Sequence, residues 1–149
     1  MSDADRIIQH LDETDTITIA TRRRSGELVP TFIWSAVADG AGDRVGYLRS
    51  AFGPGSWWYR RATADGWMGL DLGAEPEDTE GTPSAAWVEL VELAVEHVPD
   101  DAVHAAEHEA LDAALTAKYG HDPQNLAPML SEDARACTLR VRIHEEARA

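Results

Sequence analysis

Fourteen residues near the middle of the chain combine cationic, aromatic and turn-forming side chains. The stretch LRSAFGPGSWWYRR runs from Leu48 to Arg61 and holds three arginines, two tryptophans and a Gly-Pro-Gly turn. A glycine turn before a helix N-terminus exposes backbone N–H groups, which can hold a phosphate or a carboxylate. The stretch therefore predicts an anion site to which Ser56 adds a hydroxyl and Arg49 a positive charge.

Aromatic side chains could complete this site. Trp34, Trp57, Trp58 and Tyr59 offer flat surfaces on which an isoalloxazine-like ring could rest. The arginines of the turn 22–24 could lie beside them. A structural role is the alternative, because tryptophans on short helices usually pack into the core and arginines of an acidic protein usually pair with its own carboxylates. The sequence leaves both interpretations open.

A second pattern, HAAEH at residues 104–108, matches the HxxEH motif of inverted zinc proteases. On a helix, His104 and His108 would share a face, and the glutamate between them could activate water. A third ligand would have to come from elsewhere, with Glu132, Asp133 and His144 as candidates. Three fixed positions occur by chance on helices rich in His and Glu, so an ordinary surface or interface helix is the competing interpretation.

Composition and charge limit the possible functions. The net charge is -14, with 27 acidic and 13 basic residues, and Lys118 is the single lysine. This balance fits a salt-loving source or high-GC codon bias, and it makes nucleic acid an unexpected partner. No apolar run is long enough for a membrane helix and no signal peptide is visible, so we expect a soluble cytoplasmic protein. A single cysteine, Cys137, excludes internal disulfides.

The elements that must position these residues are mostly strands. Alternating or extended runs predict strands at 16–21, 28–38, 44–50, 67–73 and 135–143, and 85–98 is ambiguous but favours a strand. Helices are predicted near the N-terminus, after Ser56 as far as Gly66, and over 100–120. Residues 74–84 are predicted to form an acidic loop. We expect one domain, 1–149, of the α+β class: a mainly β, six-stranded split β-barrel with short helices and one longer helix in the C-terminal half.

Four blocks carry a family resemblance: TRRRSGELVPTFIW, GYLRSAFGPGSWWYRRATADG, AKYG and the final strand RACTLRVRI. In this order they resemble the domain of unknown function DUF2255, which is similar to split β-barrel proteins such as pyridoxamine-phosphate-oxidase-like flavoproteins and deazaflavin-dependent nitroreductases. The resemblance spans residues 16–143. It implies a homodimer with any flavin at the subunit interface.

The resemblance also implies which residues would line a groove for FMN or a deazaflavin. The matching positions are Arg22, Ser25, Gly26, Thr31, Trp34, Arg49, Ser50, Gly53, Ser56, Trp58 and Tyr59. The basic strand that grips the flavin phosphate in the oxidase branch is not visible. Because the groove positions match, the first hypothesis is nevertheless a flavin- or deazaflavin-binding oxidoreductase. The alternatives are a ligand-binding or dimerisation module without cofactor and, more remotely, a metal-dependent hydrolase using the HxxEH helix.

Overall fold

The computed structural model describes residues 2–73 and 87–143. The helices are α1 (Asp3–Glu13), α2 (Trp57–Asp65), α3 (Ala105–Tyr119), α4 (Pro123–Met129) and α5 (Glu132–Ala136). The strands are β1 (Ile17–Arg22), β2 (Leu28–Ile33), β3 (Ala36–Ala38), β4 (Val45–Arg49), β5 (Trp67–Asp71), β6 (Leu90–Val98) and β7 (Thr138–Ile143). The predicted acidic loop at 74–84 and His144 lie outside the described residues.

The seven strands form one antiparallel sheet in the order β2-β1-β5-β6-β7-β4-β3. Its two edge strands, β2 and β3, are separated in the chain by Trp34 and Ser35 alone. The three Cα–Cα steps from the end of β2 to the start of β3 span at most about 11 Å, so the sheet must curl until its edges approach each other. This curled sheet confirms the predicted α+β split-barrel class. The extended run 28–38 breaks at Trp34 and Ser35 into two strands, which gives seven strands instead of six.

Alternation along β4 separates two hydrophobic clusters. Leu48 packs in the cluster that contains Leu11 of α1, two isoleucines of β1, and Met68 and Leu70 of β5. Val45 and Tyr47 belong to the second cluster, which joins the sheet to α3 and α4. The period of two along a strand places these neighbours on opposite faces.

The ends of α2 follow the predicted signals. Ser56 occupies the N-cap position, and Gly66 ends the helix in the left-handed conformation with φ of 61°. The ambiguous valine-rich segment forms a strand, β6, which pairs with β5 and β7. The two short helices α4 and α5 are additional to the prediction. Among the described helices, none is long and apolar enough to cross a bilayer.

Candidate functional site

A groove with a volume of about 480 Å³ opens between the end of β2, the loop after β4, the start of α2 and helix α4. We call it the aromatic groove. Its lining residues are Thr31, Phe32, Ile33, Trp34, Arg49, Ala51, Phe52, Ser56, Trp58, Asn125, Pro128 and Met129. Hollows of roughly 300–1,000 Å³ are typical of sites for small molecules. Five predicted site residues therefore meet here: Thr31, Trp34, Arg49, Ser56 and Trp58.

Packing fixes the rings of the aromatic groove. The Trp34 ring stacks on Tyr119 with centroids 3.9 Å apart and an angle of 3° between the planes. Tyr119 is held in turn, because its hydroxyl donates to the carbonyl of Asp15 at 2.6 Å. Trp58 is half-buried, whereas Phe52 at the rim is 85% exposed. The groove thus has a rigid inner wall and an open apolar rim.

A serine pair shapes the turn that leads into α2. Ser50 Oγ lies 2.5 Å from the carbonyl oxygen of Gly53 and 2.9 Å from Ser56 Oγ. A hydroxyl has one hydrogen, so Ser50 can donate to the carbonyl while it accepts the Ser56 hydrogen. Ser56 makes no capping bond to α2. Within the part of the chain that the structure describes, the first N–H groups of α2 therefore have no side-chain acceptor beside the groove.

Arg49 forms part of the groove wall, but its charge is satisfied inside the protein. Its guanidinium donates to Asp112 Oδ1 at 2.5 Å, to Thr138 Oγ1 at 3.0 Å and to the Met129 carbonyl at 3.1 Å. The side chain has no exposed surface. Burial lowers the pKa of Arg49, and the hydrogen bond to Asp112 opposes that shift. The cation predicted for the site is thus a buried structural residue that joins β4 to its neighbours. A ligand in the groove would meet little of its charge.

The other predicted residues lie outside the aromatic groove. Ser50 and Gly53 lie in the turn before α2, and Tyr59 packs against the core. Arg22 and Ser25 belong to the exposed β1–β2 connection, where the Ser25 hydroxyl accepts from the Glu27 N–H at 3.3 Å. Gly26 turns that connection with φ of 90°.

Sequence reasoning missed the contribution of α4. Asn125, Pro128 and Met129 close one side of the groove. A signal was present, because Asp122 followed by Pro123 is a typical helix start, and the Asp122 side chain does accept from the Asn125 N–H. Phe52 lies within the stretch 48–61 and also lines the groove, but it is not among the predicted site residues.

The HxxEH pattern lies on α3 and the turn before it, but its histidines are engaged in structural contacts. His108 is 1% exposed; its Nδ1 lies 3.1 Å from Arg49 Nη2 and its Nε2 lies 2.9 Å from the Pro99 carbonyl. Because arginine only donates and a carbonyl only accepts, the ring is neutral with its proton on Nε2. Both ring nitrogens are occupied. His104 Nδ1 lies 2.6 Å from Asp101 Oδ1.

The described residues contain no group of three His, Cys, Asp or Glu side chains that could hold a metal ion. Glu107, the glutamate of the pattern, accepts from Arg140 Nη2 at 2.7 Å and from the Tyr47 hydroxyl at 2.5 Å. Glu132 and Asp133 are exposed in the first turn of α5. The hydrogen bonds of Glu107 therefore form a structural network that joins α3 to the sheet.

A family model matches residues 7–141, described as an uncharacterized protein conserved in bacteria, DUF2255. The chain belongs to the DUF2255 family. This assignment covers the curled sheet except for the last two residues of β7, so the aromatic groove of this DUF2255 protein is built within the family domain. No curated protein matches the sequence.

Solved structures confirm the fold of this DUF2255 protein. A conserved hypothetical protein of Mycobacterium tuberculosis is similar at 20% identity, with a TM-score of 0.55 over 96% of this chain and 79% of its own. The heme storage protein HutZ of Vibrio cholerae is similar at 10% identity, with a TM-score of 0.56 over 97% and 92%. A candidate 5-nitroimidazole antibiotic resistance protein of Bacteroides thetaiotaomicron is similar at 13% identity, with a TM-score of 0.52 over 97% and 81%.

Proposed function

We propose that the aromatic groove binds a planar ring ligand with an anionic group, of the flavin or deazaflavin class. The observation that carries the proposal is the juxtaposition of two half-buried indoles, Trp34 and Trp58, with the uncapped start of α2 in one hollow of about 480 Å³. The indoles supply ring surface, and the N–H groups of a helix start attract negative charge.

The lining fits the two halves of such a ligand. Trp58, Phe52 and the buried Met129 would contact the ring system. Thr31 and Asn125 offer polar atoms at the mouth. A bound flavin or deazaflavin would supply hydride or electron transfer, so the chain itself would bind, orient and exclude water. An oxidoreductase activity is the reaction type that this arrangement would support.

Heme is the competing planar ligand, because HutZ is a heme storage protein. Among the described residues that line the groove, Met129 is the one whose side chain could coordinate an iron, and it is 5% exposed. The groove offers aromatic rings and N–H groups but little that could coordinate iron. It therefore favours a flavin-like ligand over a metal porphyrin. A ligand-binding module without redox activity would use the same contacts.

Titration of the purified protein with FMN, an 8-hydroxy-5-deazaflavin and heme tests the proposal. We expect FMN or the deazaflavin to bind at micromolar concentration with a change in its visible spectrum. Trp58→Ala should weaken that binding about tenfold, which corresponds to the loss of roughly 1.4 kcal/mol of ring contact. Trp57→Ala is the matched control, since the neighbouring indole does not line the groove.

Two results would overturn the proposal. One is the absence of binding for both flavins at micromolar concentration. The other is tight heme binding that Trp58→Ala leaves unchanged. Reduction of a bound flavin by a nicotinamide donor, followed by its reoxidation by a nitro compound, would separate an oxidoreductase from a module that only binds.

We also propose that the protein is a homodimer, as the split-barrel resemblance implies. Phe52 places an exposed phenyl ring at the open rim of the groove, and the edge strand β2 is half-buried along its whole length. A second copy could cover both features. Light scattering after size-exclusion chromatography measures the mass, and a mass of 16.3 kDa at micromolar concentration would contradict the dimer.

A further inference from the structure

A second hollow, of about 620 Å³, lies on the other side of α2 and shares no lining residue with the aromatic groove. We call it the arginine surface. It is built from the end of β1, the turn that follows and the outer face of α2. Its lining residues are Arg22, Arg23, Arg24, Trp57, Arg60, Arg61, Ala64 and Asp65. Five arginines thus face one acidic residue in a protein whose net charge is -14.

The arginines of this surface have no ion-pair partner among the carboxylates of residues 2–73 and 87–143. Elsewhere in those ranges the arginines are paired: Arg49 and Arg135 with Asp112, Arg140 with Glu107, and Arg142 with Asp43. The described carboxylates of this acidic protein thus leave five clustered cations without a partner. Like charges held together without partners raise the free energy of the protein, and a bound anion lowers it.

Ring contacts hold three of the guanidiniums in place without using their donors. The Arg22 guanidinium lies 3.9 Å from the centroid of the Trp67 ring, and those of Arg60 and Arg61 lie 4.6 and 5.5 Å from that of Trp57. Attraction to a ring does not neutralise the cation. The N–H edges of the guanidinium stay available for the paired hydrogen bonds that match a phosphate. The surface is therefore organised before any ligand arrives.

Trp57 adds a flat apolar contact at the centre of this charge. Despite its two arginine neighbours, the residue is 63% exposed. An indole so open beside a hollow of this size can pack against an aromatic ring of a ligand. The surface thus combines recognition of several negative charges with recognition of a ring.

We propose that the arginine surface binds a small aromatic ligand that carries two or more phosphate groups, of the nucleoside diphosphate class. The phosphates would lie on the guanidinium edges and the base would contact Trp57. A small ligand fits better than a polymer, because any polyanion that extended beyond the surface would meet a protein with 27 acidic residues. The proposal is independent of the ligand in the aromatic groove.

Calorimetric titration with ADP and with pyrophosphate tests this site. We expect ADP to bind more tightly than pyrophosphate, because pyrophosphate has no ring for Trp57. Arg60→Gln combined with Arg61→Gln should weaken ADP binding at least tenfold. Arg6→Gln combined with Arg44→Gln is the matched control, since it removes the same charge from exposed arginines outside the surface. We expect that control to change the affinity less than twofold.

The adjacent tryptophans distinguish this site from the aromatic groove. Trp57→Ala should weaken ADP binding more than pyrophosphate binding, because it removes the ring contact as well as the support of Arg60 and Arg61, whereas Trp58→Ala should leave both unchanged. Loss of flavin binding in Trp58→Ala together with intact ADP binding would show two separate sites. If the Arg60 and Arg61 variant does not fold, Arg23→Gln combined with Arg24→Gln replaces it, because the β1–β2 turn is exposed.

Several results would overturn the proposal. One is the absence of ADP binding at millimolar concentration. Another is an equal loss of ADP affinity in the two double variants. A third is a loss of ADP affinity in Trp58→Ala but not in Trp57→Ala. Tighter binding of a single-stranded oligonucleotide or of an acidic peptide than of ADP would assign the arginines to a macromolecular partner and would also overturn it.

Discussion

Arg49 Nη1 lies 2.5 Å from Asp112 Oδ1, and this bond joins the end of β4 to the middle of α3. The two residues are 63 positions apart in the chain. Asp112 also accepts from Arg135 of α5. Burial would raise the pKa of Asp112, but the hydrogen bonds from Arg135 and Arg49 outweigh it and hold the pKa below its usual value. The Asp112 carboxylate therefore neutralises two arginines, Arg49 in the groove wall and Arg135 of α5.

Asp112→Asn should lower the free energy of unfolding by about 3 kcal/mol. The substitution leaves Arg49 buried without its anion, and breaking one side of a buried pair typically costs roughly 3–5 kcal/mol. Urea unfolding measures the change. Adding Arg49→Met to Asp112→Asn should cost less than the sum of the two single changes, because the buried cation is then absent. Glu109→Gln, on an exposed position of the same helix, is the control. A stability within 0.5 kcal/mol of that control, roughly the range of ordinary surface changes, would contradict the argument.

Glu107 should make the protein sensitive to acid. Burial would raise the pKa of Glu107, but hydrogen bonds from Arg140 and Tyr47 outweigh it and hold the pKa below the ordinary 4.5. A carboxyl with a lowered pKa in the folded state stabilises it above the unfolded value, and this stability is lost as the pH falls through the folded value. Urea unfolding between pH 7 and 3 should therefore show a steeper decline below about pH 4.5 in the wild type than in Glu107→Gln. Equal slopes would show that the glutamate is not the titrating group.

Lys118 should make the stability of the protein rise with pH in the alkaline range. Its ammonium donates to the carbonyls of Leu11 and Ser35 at 2.8 Å, and burial lowers the pKa of Lys118 from 10.5 to about 8. Between these values the unfolded chain binds the proton more strongly than the folded chain, so the contribution of Lys118 to stability rises with pH. The free energy of unfolding, followed from pH 7.5 to 10, should rise more in the wild type than in Lys118→Met. The two proteins are compared by the slope of the free energy of unfolding against pH, because Lys118→Met also loses two hydrogen bonds and is therefore less stable at every pH.

The sequence predicted what depends on local pattern. Alternation located β1, β4 and β7, and Gly66 marked the end of α2. The valine-rich segment could not be assigned by periodicity, because its pairing with β5 and β7 decides it. Within the described residues, the short helices α4 and α5 depend on caps from Asp122 and Ser131, which are weak signals in isolation.

The candidate site shows the same division between local and distant information. Phe52, Trp58 and the turn between them lie in one stretch of sequence, so their proximity could be predicted. The burial of Arg49 depends on Asp112 in a distant helix, and a single sequence does not show that pairing. The arginines at 22–24, expected beside the groove, instead line a hollow with Arg60 and Arg61 on the opposite side of α2 from the aromatic groove.

Gly40→Ala should destabilise the protein by about 1–3 kcal/mol, as overpacking of a filled contact does. A Cβ at Gly40 would lie 2.6 Å from the Cα of Glu107 and 3.0 Å from the Cβ of Ala110, so the backbone of α3 would have to move. Gly55→Ala is the matched control, because a Cβ there meets no atom within 4 Å. Urea unfolding compares the two variants. Since Glu107 binds Arg140 from this part of α3, the displaced helix should also lose part of its acid-sensitive stability. Equal stability of Gly40→Ala and Gly55→Ala would mean that α3 can move away from the turn at little cost.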